Sequence, residues 1–437
     1  MNQDLGAWID RQWQASAAGL LLSVSPRLSK SRPGFAQTIK ARAGAIVASP
    51  VLASYDPEPD YFFHWYRDSA LVVDALRLLR SDEDLRATVE TAFGDFVRFS
   101  LDLSDLDGGV LADSVAWRNA VKPEFVQYLR TAEELREIKG PAVSADTRVN
   151  PDGTLDVSRW ARPQHDGPAL RALALLRWLD EGGQDEATIS LAATLLLADL
   201  KFVERFCLTP CFDIWEERLG LHYYTLRVAA AALEGGSAWL GLRGDDEAAA
   251  VGRQSAQAVL SRLDQFWREA GGYYSSRSHP DGRLNDNDLD IAVLLACLHA
   301  DNPGARHGLL DPKLQSTFER LVGLFAAEYP INRGHGEAPA MGRYANDRYF
   351  SGGPYFFSTL GAAQFCYRRA ALDRDRHWFE RGDLFLKMVR HHTPDDHSMS
   401  EQFDRITGAP RSARHLAWSY AAFLTCTEAR RGTPYTT

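Results

Sequence analysis

Two acidic segments contain the residues whose types could carry out chemistry. The first, 212–217, reads Phe-Asp-Ile-Trp-Glu-Glu and ends with Glu216 and Glu217. The second, 400–404, reads Ser-Glu-Gln-Phe-Asp and contains Glu401. Two carboxyl groups on either side of an acetal suffice to hydrolyse a glycosidic bond, because one protonates the leaving oxygen and the other activates water or attacks the sugar. A glutamate pair in a helical protein is more often a solvated surface, so neither segment decides this alone.

Aromatic and charged residues accumulate in four loop segments. A pyranose has apolar C–H faces that pack on aromatic rings, and hydroxyl groups that hydrogen-bond with Asp and Arg. Core aromatics and structural Arg–Asp pairs are the better explanation for any one segment. Four such segments, each ahead of a helical pattern, favour a carbohydrate-binding cleft. The segments are 59–68, 160–168, 215–217 and 342–355.

The rest of the chain predicts helices that present these loops. Apolar residues recur at three- and four-residue spacing, and the alternation typical of strands is scarce. About a dozen helices in 437 residues, with no linker or break in composition, predict one domain over 1–437. They can close into two concentric rings, an (α/α)6 barrel, although a bundle or a solenoid is equally permitted. The helical stretches are 71–79, 85–101, 169–179, 187–206, 224–242, 248–266, 289–298, 314–325, 358–367 and 416–424.

Composition and charge exclude several classes of protein. Hydrophobic residues make up 45% and charged residues 24%, as in an ordinary globular protein. A net charge of −9 argues against a nucleic-acid partner. No segment approaches the roughly 18 uninterrupted apolar residues of a membrane span. The N-terminus lacks the pattern of a signal peptide, and the five sparse cysteines are expected to be free thiols, so we expect a cytoplasmic location.

Two patterns invite comparison with metal sites, and neither predicts one. Cys207 and Cys211 lie four residues apart, but no second pair of ligands accompanies them. The run 285–290, Asn-Asp-Asn-Asp-Leu-Asp, lacks the glycine and the closing glutamate of a calcium loop. We interpret this run as the N-terminal cap of a helix. We therefore expect neither a metal nor a cofactor.

In the order and content of its segments the chain resembles the glucoamylases of glycoside hydrolase family 15. The likeness covers nearly the whole chain, through the blocks 44–50, 59–68, 160–171, 213–220, 342–354 and 400–420. The block 162–171, Arg-Pro-Gln-His-Asp-Gly-Pro-Ala-Leu-Arg, and the final block are specific. The resemblance implies an all-α (α/α)6 barrel, with the active site at one end in the loops that enter the inner helices. It also implies an exo-acting α-glucosidase that releases β-D-glucose from non-reducing ends with inversion.

The resemblance also assigns roles to individual residues. Glu216 matches the general acid, expected to stay protonated beside Trp215 and Glu217. Glu401 matches the general base, and the family serine that hydrogen-bonds it is Ser412, which is expected to help keep the pKa of Glu401 low. The other matches are Arg67 and Asp68 for the distal hydroxyls, Tyr61 and Trp65 in the same subsite, Arg343 for sugar hydroxyls, Glu217 at the neighbouring subsite and Trp160 near the acid.

Some positions depart from the family pattern. Where members often read Gly-Asn-Pro-Trp, 352–355 reads Gly-Gly-Pro-Tyr. His64 and Tyr66 replace residues that are commonly Tyr or Thr, and His415 stands where Asp is common. We expect these changes to lie near the cleft, where linkage preference for α-1,4, α-1,6 or trehalose bonds is set.

Several alternatives stay open at this point. An α-1,6-glucosidase or a trehalase would share the same fold. A phosphorylase needs no catalytic base, and a non-catalytic sugar-binding protein would be expected to lose Glu216 or Glu401, so the presence of both favours a hydrolase. We expect neither a β-sandwich ahead of the barrel nor a starch-binding module after it, and we therefore expect soluble oligosaccharides as substrates. The sequence does not indicate the oligomeric state.

Overall fold

The computed structural model describes residues 2–55, 57–278 and 288–436. Within these ranges the chain is mainly helical, with short strands in the loops. The helices are α1 (Asn2–Ser23), α2 (Tyr66–Leu76), α3 (Glu83–Leu103), α4 (Gly108–Asp113), α5 (Val115–Ala120), α6 (Ala132–Arg136), α7 (Pro141–Ser144), α8 (Asp166–Glu181), α9 (Glu186–Phe206), α10 (Tyr223–Gly241), α11 (Asp246–Leu263), α12 (Ala292–Ala300), α13 (Pro312–Glu328), α14 (Phe356–Asp373), α15 (Arg376–His392) and α16 (Ala417–Arg431).

Six of these helices form a closed inner ring. Each of α2, α8, α10, α12, α14 and α16 contacts the next, and α16 contacts α2. Outside them, α1 packs on α16, α9 on α8, α11 on α10, α13 on α12 and α15 on α14, while α3 packs on α9. The two rings confirm the predicted (α/α)6 barrel.

Burial follows the ring to which a helix belongs. Inner helix α12 is buried along almost its whole length, and α10 contains the buried small residues Val228, Ala229, Ala230 and Ala231, which let its neighbours approach closely. The outer helices bury one stripe, as amphipathic helices do. In α15 that stripe includes Trp378, Phe385 and Val389. The burial pattern therefore places one large hydrophobic core between and within the rings.

Each of the ten predicted stretches overlaps a helix, although 289–291 precede α12, but the prediction missed two outer helices, α1 and α15, and the short helices α4 to α7. In α1 the buried stripe is interrupted by Gln12 and Ser16, which hydrogen-bond to each other at 3.2 Å. In α15 the buried apolar stripe was present in the sequence, so the periodic signal existed there and the prediction did not use it. Of the predicted cap at 285–290, residues 285–287 lie outside the described residues; Asp290 accepts a hydrogen bond from the Ala292 amide at the start of α12, at 2.8 Å.

Short antiparallel strands hold the loops that lead into the inner helices. β3 and β4 pair ahead of α2 and α8, the β5–β6 hairpin precedes α10 and is extended by β9, and the β10–β11 hairpin precedes α16. These strands fix the segments that carry the predicted site residues. The strands are β1 (Ser29–Arg32), β2 (Gln37–Lys40), β3 (His64–Trp65), β4 (Arg148–Val149), β5 (Cys211–Phe212), β6 (Leu219–His222), β7 (Trp267–Arg268), β8 (Tyr273–Tyr274), β9 (Arg277–Ser278), β10 (Gln402–Phe403) and β11 (Pro410–Arg411).

No helix in the described part of the chain is both long enough and apolar enough to span a bilayer.

Candidate active site

Glu216 lies in the turn of the β5–β6 hairpin. Asp213 organises this turn: its carboxylate accepts from the Glu217 amide at 2.8 Å, and its carbonyl accepts from the Glu216 amide at 2.9 Å. Glu216 itself has a φ of 64°, in the left-handed region that residues other than glycine rarely adopt. Such backbone geometry is held by the surrounding structure and is common at functional sites.

Three nitrogen donors converge on the carboxyl group of Glu216. Trp65 Nε1 donates to Oε1 at 2.8 Å, and Arg67 Nη2 donates to the same oxygen at 3.1 Å. Trp160 Nε1 donates to Oε2. Trp160 is 40% exposed, whereas the other two donors are buried, so Trp160 forms the open side of this group. The indole of Trp215 points elsewhere and donates to Asp290 Oδ2 at 2.9 Å.

A cluster of carboxylates surrounds the guanidinium of Arg67. Besides Glu216, it pairs with Asp68 Oδ2 at 3.2 Å and with Asp166 Oδ2 at 3.6 Å. Burial raises the pKa of Asp166 to about 6, against the lowering effect of Arg67. Burial likewise raises the pKa of Asp68. One cation thus stands among three carboxyl groups at the start of α2 and α8.

Glu401 directly precedes β10, and its surroundings are different. Ser412 Oγ donates to Oε2, and Tyr61 OH lies 3.3 Å from Oε1. Glu401 is 9% exposed, and burial raises its pKa to about 7, although the Ser412 hydrogen bond and the charge of Arg343 oppose the rise. The Ser412 contact is the one that the resemblance implies. The low pKa expected for Glu401 is not found, because burial outweighs its hydrogen bonds.

An aromatic pair connects the two carboxylates. Tyr61 contacts Glu401, Trp65 contacts Glu216, and the two rings meet edge to face with centroids 5.2 Å apart. Tyr61 OH also hydrogen-bonds Tyr349 OH at 2.6 Å. Glu216 and Glu401 therefore belong to one connected group of side chains at the N-terminal end of the inner ring.

Arg343 links this group to the loop before α14. It forms a two-pronged contact with Asp347, at 2.7 and 2.6 Å, and pairs with Glu217 Oε1 at 2.9 Å. Its guanidinium lies over the rings of Trp215 and Tyr349. The structure therefore brings together every residue that the sequence analysis assigned to the site. Their individual roles stay predictions.

One of the departures from the family pattern, His64, points away from this group. In β3 alternate side chains point to opposite sides, so Trp65 faces the site while His64 packs on Phe99 of α3. Tyr66 is buried, and His415 hydrogen-bonds Tyr420 OH at 2.7 Å. The expectation that these residues lie near the cleft is therefore wrong for His64. Tyr355 does lie close, because its ring packs against the Arg343 guanidinium.

Sequence reasoning missed three residues at the site: Asp166, Tyr349 and Asp290. Asp166 stands in the specific block 162–171, and Tyr349 lies in an aromatic-rich loop, so a signal was present for both. Asp290 had been interpreted only as a cap. It is buried, and its burial raises its pKa to about 7. Nothing in the sequence indicates that it would accept a hydrogen bond from Trp215.

Comparisons with known proteins agree with this arrangement. A profile of "Glycosyl hydrolases family 15" matches residues 33–100 and 145–428. The chain belongs to glycosyl hydrolases family 15. It is therefore a glycoside hydrolase. No group of three or more His, Cys, Asp or Glu in the described residues is arranged to hold a metal ion.

Three relatives of this family 15 enzyme are glucoamylases by name. A probable glucoamylase of Schizosaccharomyces pombe is 27% identical, over 87% of this chain and 83% of its own. Glucoamylase P of Amorphotheca resinae is 29% identical, over 98% and 71%. The solved glucoamylase of Hormoconis resinae superposes with a TM-score of 0.76 at 25% identity, over 98% of this chain and 74% of that one.

Proposed function

We propose that this family 15 enzyme is an exo-acting α-glucosidase that hydrolyses the terminal α-1,4 bond of malto-oligosaccharides and releases β-D-glucose. Glu216 is the general acid and Glu401 the general base. The observation that carries the proposal is the placement of two carboxylates, each with a distinct set of donors, in one connected group. The similarity to glucoamylases supports the choice of substrate.

In this mechanism Glu216 donates its proton to the glycosidic oxygen as the bond from that oxygen to the anomeric carbon breaks. Glu401 removes a proton from a water molecule, whose oxygen forms the new bond to the anomeric carbon from the opposite face. One bond forms and one breaks, and the anomeric configuration inverts. The reaction leaves Glu216 charged and Glu401 protonated.

The surroundings of each carboxyl group suit its protonation state after the reaction, charged for Glu216 and neutral for Glu401. Indole and guanidinium N–H groups can only donate, so Trp65, Trp160 and Arg67 stabilise the negative charge that develops on Glu216. Hydroxyl groups both donate and accept, so Ser412 and Tyr61 can remain hydrogen-bonded when Glu401 takes up a proton.

The carboxylates around Arg67 have a second effect. The transition state of glycoside hydrolysis carries positive charge on the sugar ring. Asp68 and Asp166 place negative charge and hydrogen-bond acceptors next to Glu216, and Arg67 supplies donors. This mixture suits the hydroxyl rim of a terminal glucose, and it stabilises the positive charge on the ring.

Proton NMR in the first minutes of reaction tests the proposal, with maltose, isomaltose and trehalose in parallel. β-Glucose appearing first from maltose is the expected result. Faster glucose release from isomaltose or trehalose would show that the enzyme prefers that linkage to the α-1,4 bond. α-Glucose appearing first would contradict inversion. Glucose 1-phosphate formed only in the presence of phosphate would identify a phosphorylase.

We also propose that the enzyme works in the cytoplasm. All five cysteines are buried and unpaired, as is usual in a reducing compartment. Detection of the enzyme in a cytosolic fraction tests this; recovery only from the medium would contradict it.

A further inference from the structure

A cavity enters the barrel from the end opposite the candidate active site. Its volume is about 320 Å³, at the lower end of the usual range of roughly 300–1,000 Å³ for small-molecule sites. Five of the six inner helices, α2, α8, α12, α14 and α16, contribute to its lining. Along α16 the lining runs from Trp418 at the N-terminal end to Glu428 near the C-terminal end. We call it the axial cavity, because it follows the axis of the inner ring.

The lining of the axial cavity changes from apolar to charged along its length. At its deep end Phe357 and Trp418 stack face to face, with centroids 4.1 Å apart. Above them lie leucines and alanines, among them Leu173, Leu295 and Ala422. The rim consists of Asp74, Arg77, Arg177, Asp301, Arg368 and Glu428.

The charges at the rim balance. Three arginines face three acids: Arg177 and Arg77 both contact Asp74, at 2.5 and 3.6 Å, and Arg368 contacts Asp301. A balanced rim does not select a charged ligand, and burying a ligand's charge in the apolar part would cost free energy. The same paired groups offer donors and acceptors to hydroxyl groups.

We propose that the axial cavity is a second small-molecule site, which binds an uncharged amphiphile. The apolar body of the ligand lies on Phe357 and Trp418, and its hydroxyl group lies among the charged residues of the rim. For scale, an apolar cavity of about 150 Å³ holds a benzene molecule. The axial cavity therefore has room for a phenyl or short alkyl group together with a hydroxylated end.

The deep end of the axial cavity is also the support of the candidate active site. Trp418 stacks near Trp215, with centroids 6.5 Å apart, and the guanidinium of Arg67 lies 5.5 Å from the Trp418 ring. His299, another lining residue, hydrogen-bonds Tyr224 OH at 2.7 Å. A ligand therefore touches the side chain on which Arg67 and Trp215 rest. We therefore expect a ligand in the axial cavity to alter catalysis, and this consequence rests on the proposed function.

Binding is measured first, without any sugar present. In calorimetric titrations the probe is 2-phenylethanol, and 2-phenylethylammonium and phenylacetate are charged probes of the same size. The neutral alcohol is expected to bind one to one, at least about tenfold more tightly than either charged probe. No binding of the alcohol up to its solubility limit would overturn the proposal, and so would equal binding of all three.

A substitution that fills the cavity locates the site. Ala422 lines the axial cavity at mid-depth, so Ala422→Phe is expected to weaken binding of the alcohol at least about tenfold. Ala250→Phe, at an exposed position of α11, is the matched control and should bind as the wild type does. If Ala422→Phe does not fold, Thr425→Met narrows the same cavity. Unchanged binding in a folded cavity variant would refute the location.

Kinetics then separate this inference from the proposed function. Saturating 2-phenylethanol is expected to change kcat or KM for maltose in the wild type and in Ala250→Phe, but not in Ala422→Phe. Maltose hydrolysis without alcohol binding would leave the proposed function intact and reject the site. Alcohol binding that Ala422→Phe weakens, in an enzyme without activity on maltose, would keep the site and reject the proposed function.

Discussion

The hairpin that carries Glu216 and the hairpin that precedes α16 are built alike. Each is a short antiparallel pair that leads into an inner helix, α10 in one case and α16 in the other. Each places a residue with left-handed backbone at the site, Glu216 with a φ of 64° and Ser412 with a φ of 61°. A short hairpin therefore presents functional side chains in both places, from its turn in the first case and from its open end in the second.

The two hairpins differ in what meets their carboxyl groups. Glu216 accepts from nitrogen donors in β3, α2 and the loop before α8, whereas Glu401 meets the hydroxyl groups of Ser412 and Tyr61. Ser412 belongs to the segment between β11 and α16, so part of the environment of Glu401 is local. The comparison shows that a hairpin positions each carboxyl group, whereas the hydrogen-bond donors around that group determine its chemical environment.

The largest loss of kcat is expected from substitution of Glu216. Glu216→Gln removes the proton donor, and a sugar alkoxide is a poor leaving group, so kcat on maltose should fall about 10⁴-fold. Glucosyl fluoride needs no protonation to leave, so its turnover should fall far less. The matched control is Glu247→Gln at an exposed position. If kcat fell equally on maltose and on glucosyl fluoride, Glu216 would not be the general acid.

A smaller loss is expected at Glu401. The transition state depends less on the attacking group than on departure of the leaving group, so Glu401→Ala should lower kcat about 10²–10³-fold. Azide, a small nucleophile that needs no base, should restore part of the turnover and yield the β-glucosyl azide. An α-glucosyl azide would contradict inversion, and full activity in the variant would mean that another group is the base.

Much of the fold could be predicted from the sequence, because long apolar stretches in the inner helices and amphipathic stretches in most outer ones, with little strand-type alternation, indicate helices. The outer helix α1 was missed because its buried face includes the polar residues Gln12 and Ser16, which interrupt the spacing of apolar residues. The closing of the rings came from the family resemblance, since helical periodicity alone permits a bundle or a solenoid.

For the site, the sequence indicated which residues come together but not how they are oriented. The motif suggested that Trp215 lies beside the acid, yet its indole donates to Asp290. The pKa of Glu401 depends on burial as well as on hydrogen bonds, and burial is a property of the packed barrel. Contact geometry of this kind is set by side chains far apart in the chain, so no local pattern records it.

Removing one nitrogen donor sharpens the comparison. Trp65→Phe keeps an aromatic ring beside Tyr61 but removes the N–H that donates to Glu216 at 2.8 Å. A hydrogen bond to a charged group contributes about 1.5–3 kcal/mol, so kcat should fall about 10- to 100-fold. Trp239→Phe is the control, because Trp239 Nε1 is buried without an acceptor in the described structure. Equal effects of the two substitutions would show that the N–H to Glu216 is unimportant.

The smallest effect, and the one that depends most on pH, is expected at Ser412. Its hydroxyl favours the charged form of Glu401, so Ser412→Ala should raise the pKa of Glu401 further above its value of about 7. A base works only when deprotonated, so the acidic limb of kcat/KM should move to higher pH. Loss of about 1.4 kcal/mol would cost about tenfold at pH 6 and less above pH 8.

The pH profile of kcat/KM for maltose measures this shift, with Ser190→Ala, at an exposed position of α9, as the control. A uniform loss at every pH would mean that Ser412 only supports the hairpin. An unchanged acidic limb with a basic limb that moves to higher pH would mean that Glu401 acts in its protonated form, and the roles of the two hairpins would then be exchanged.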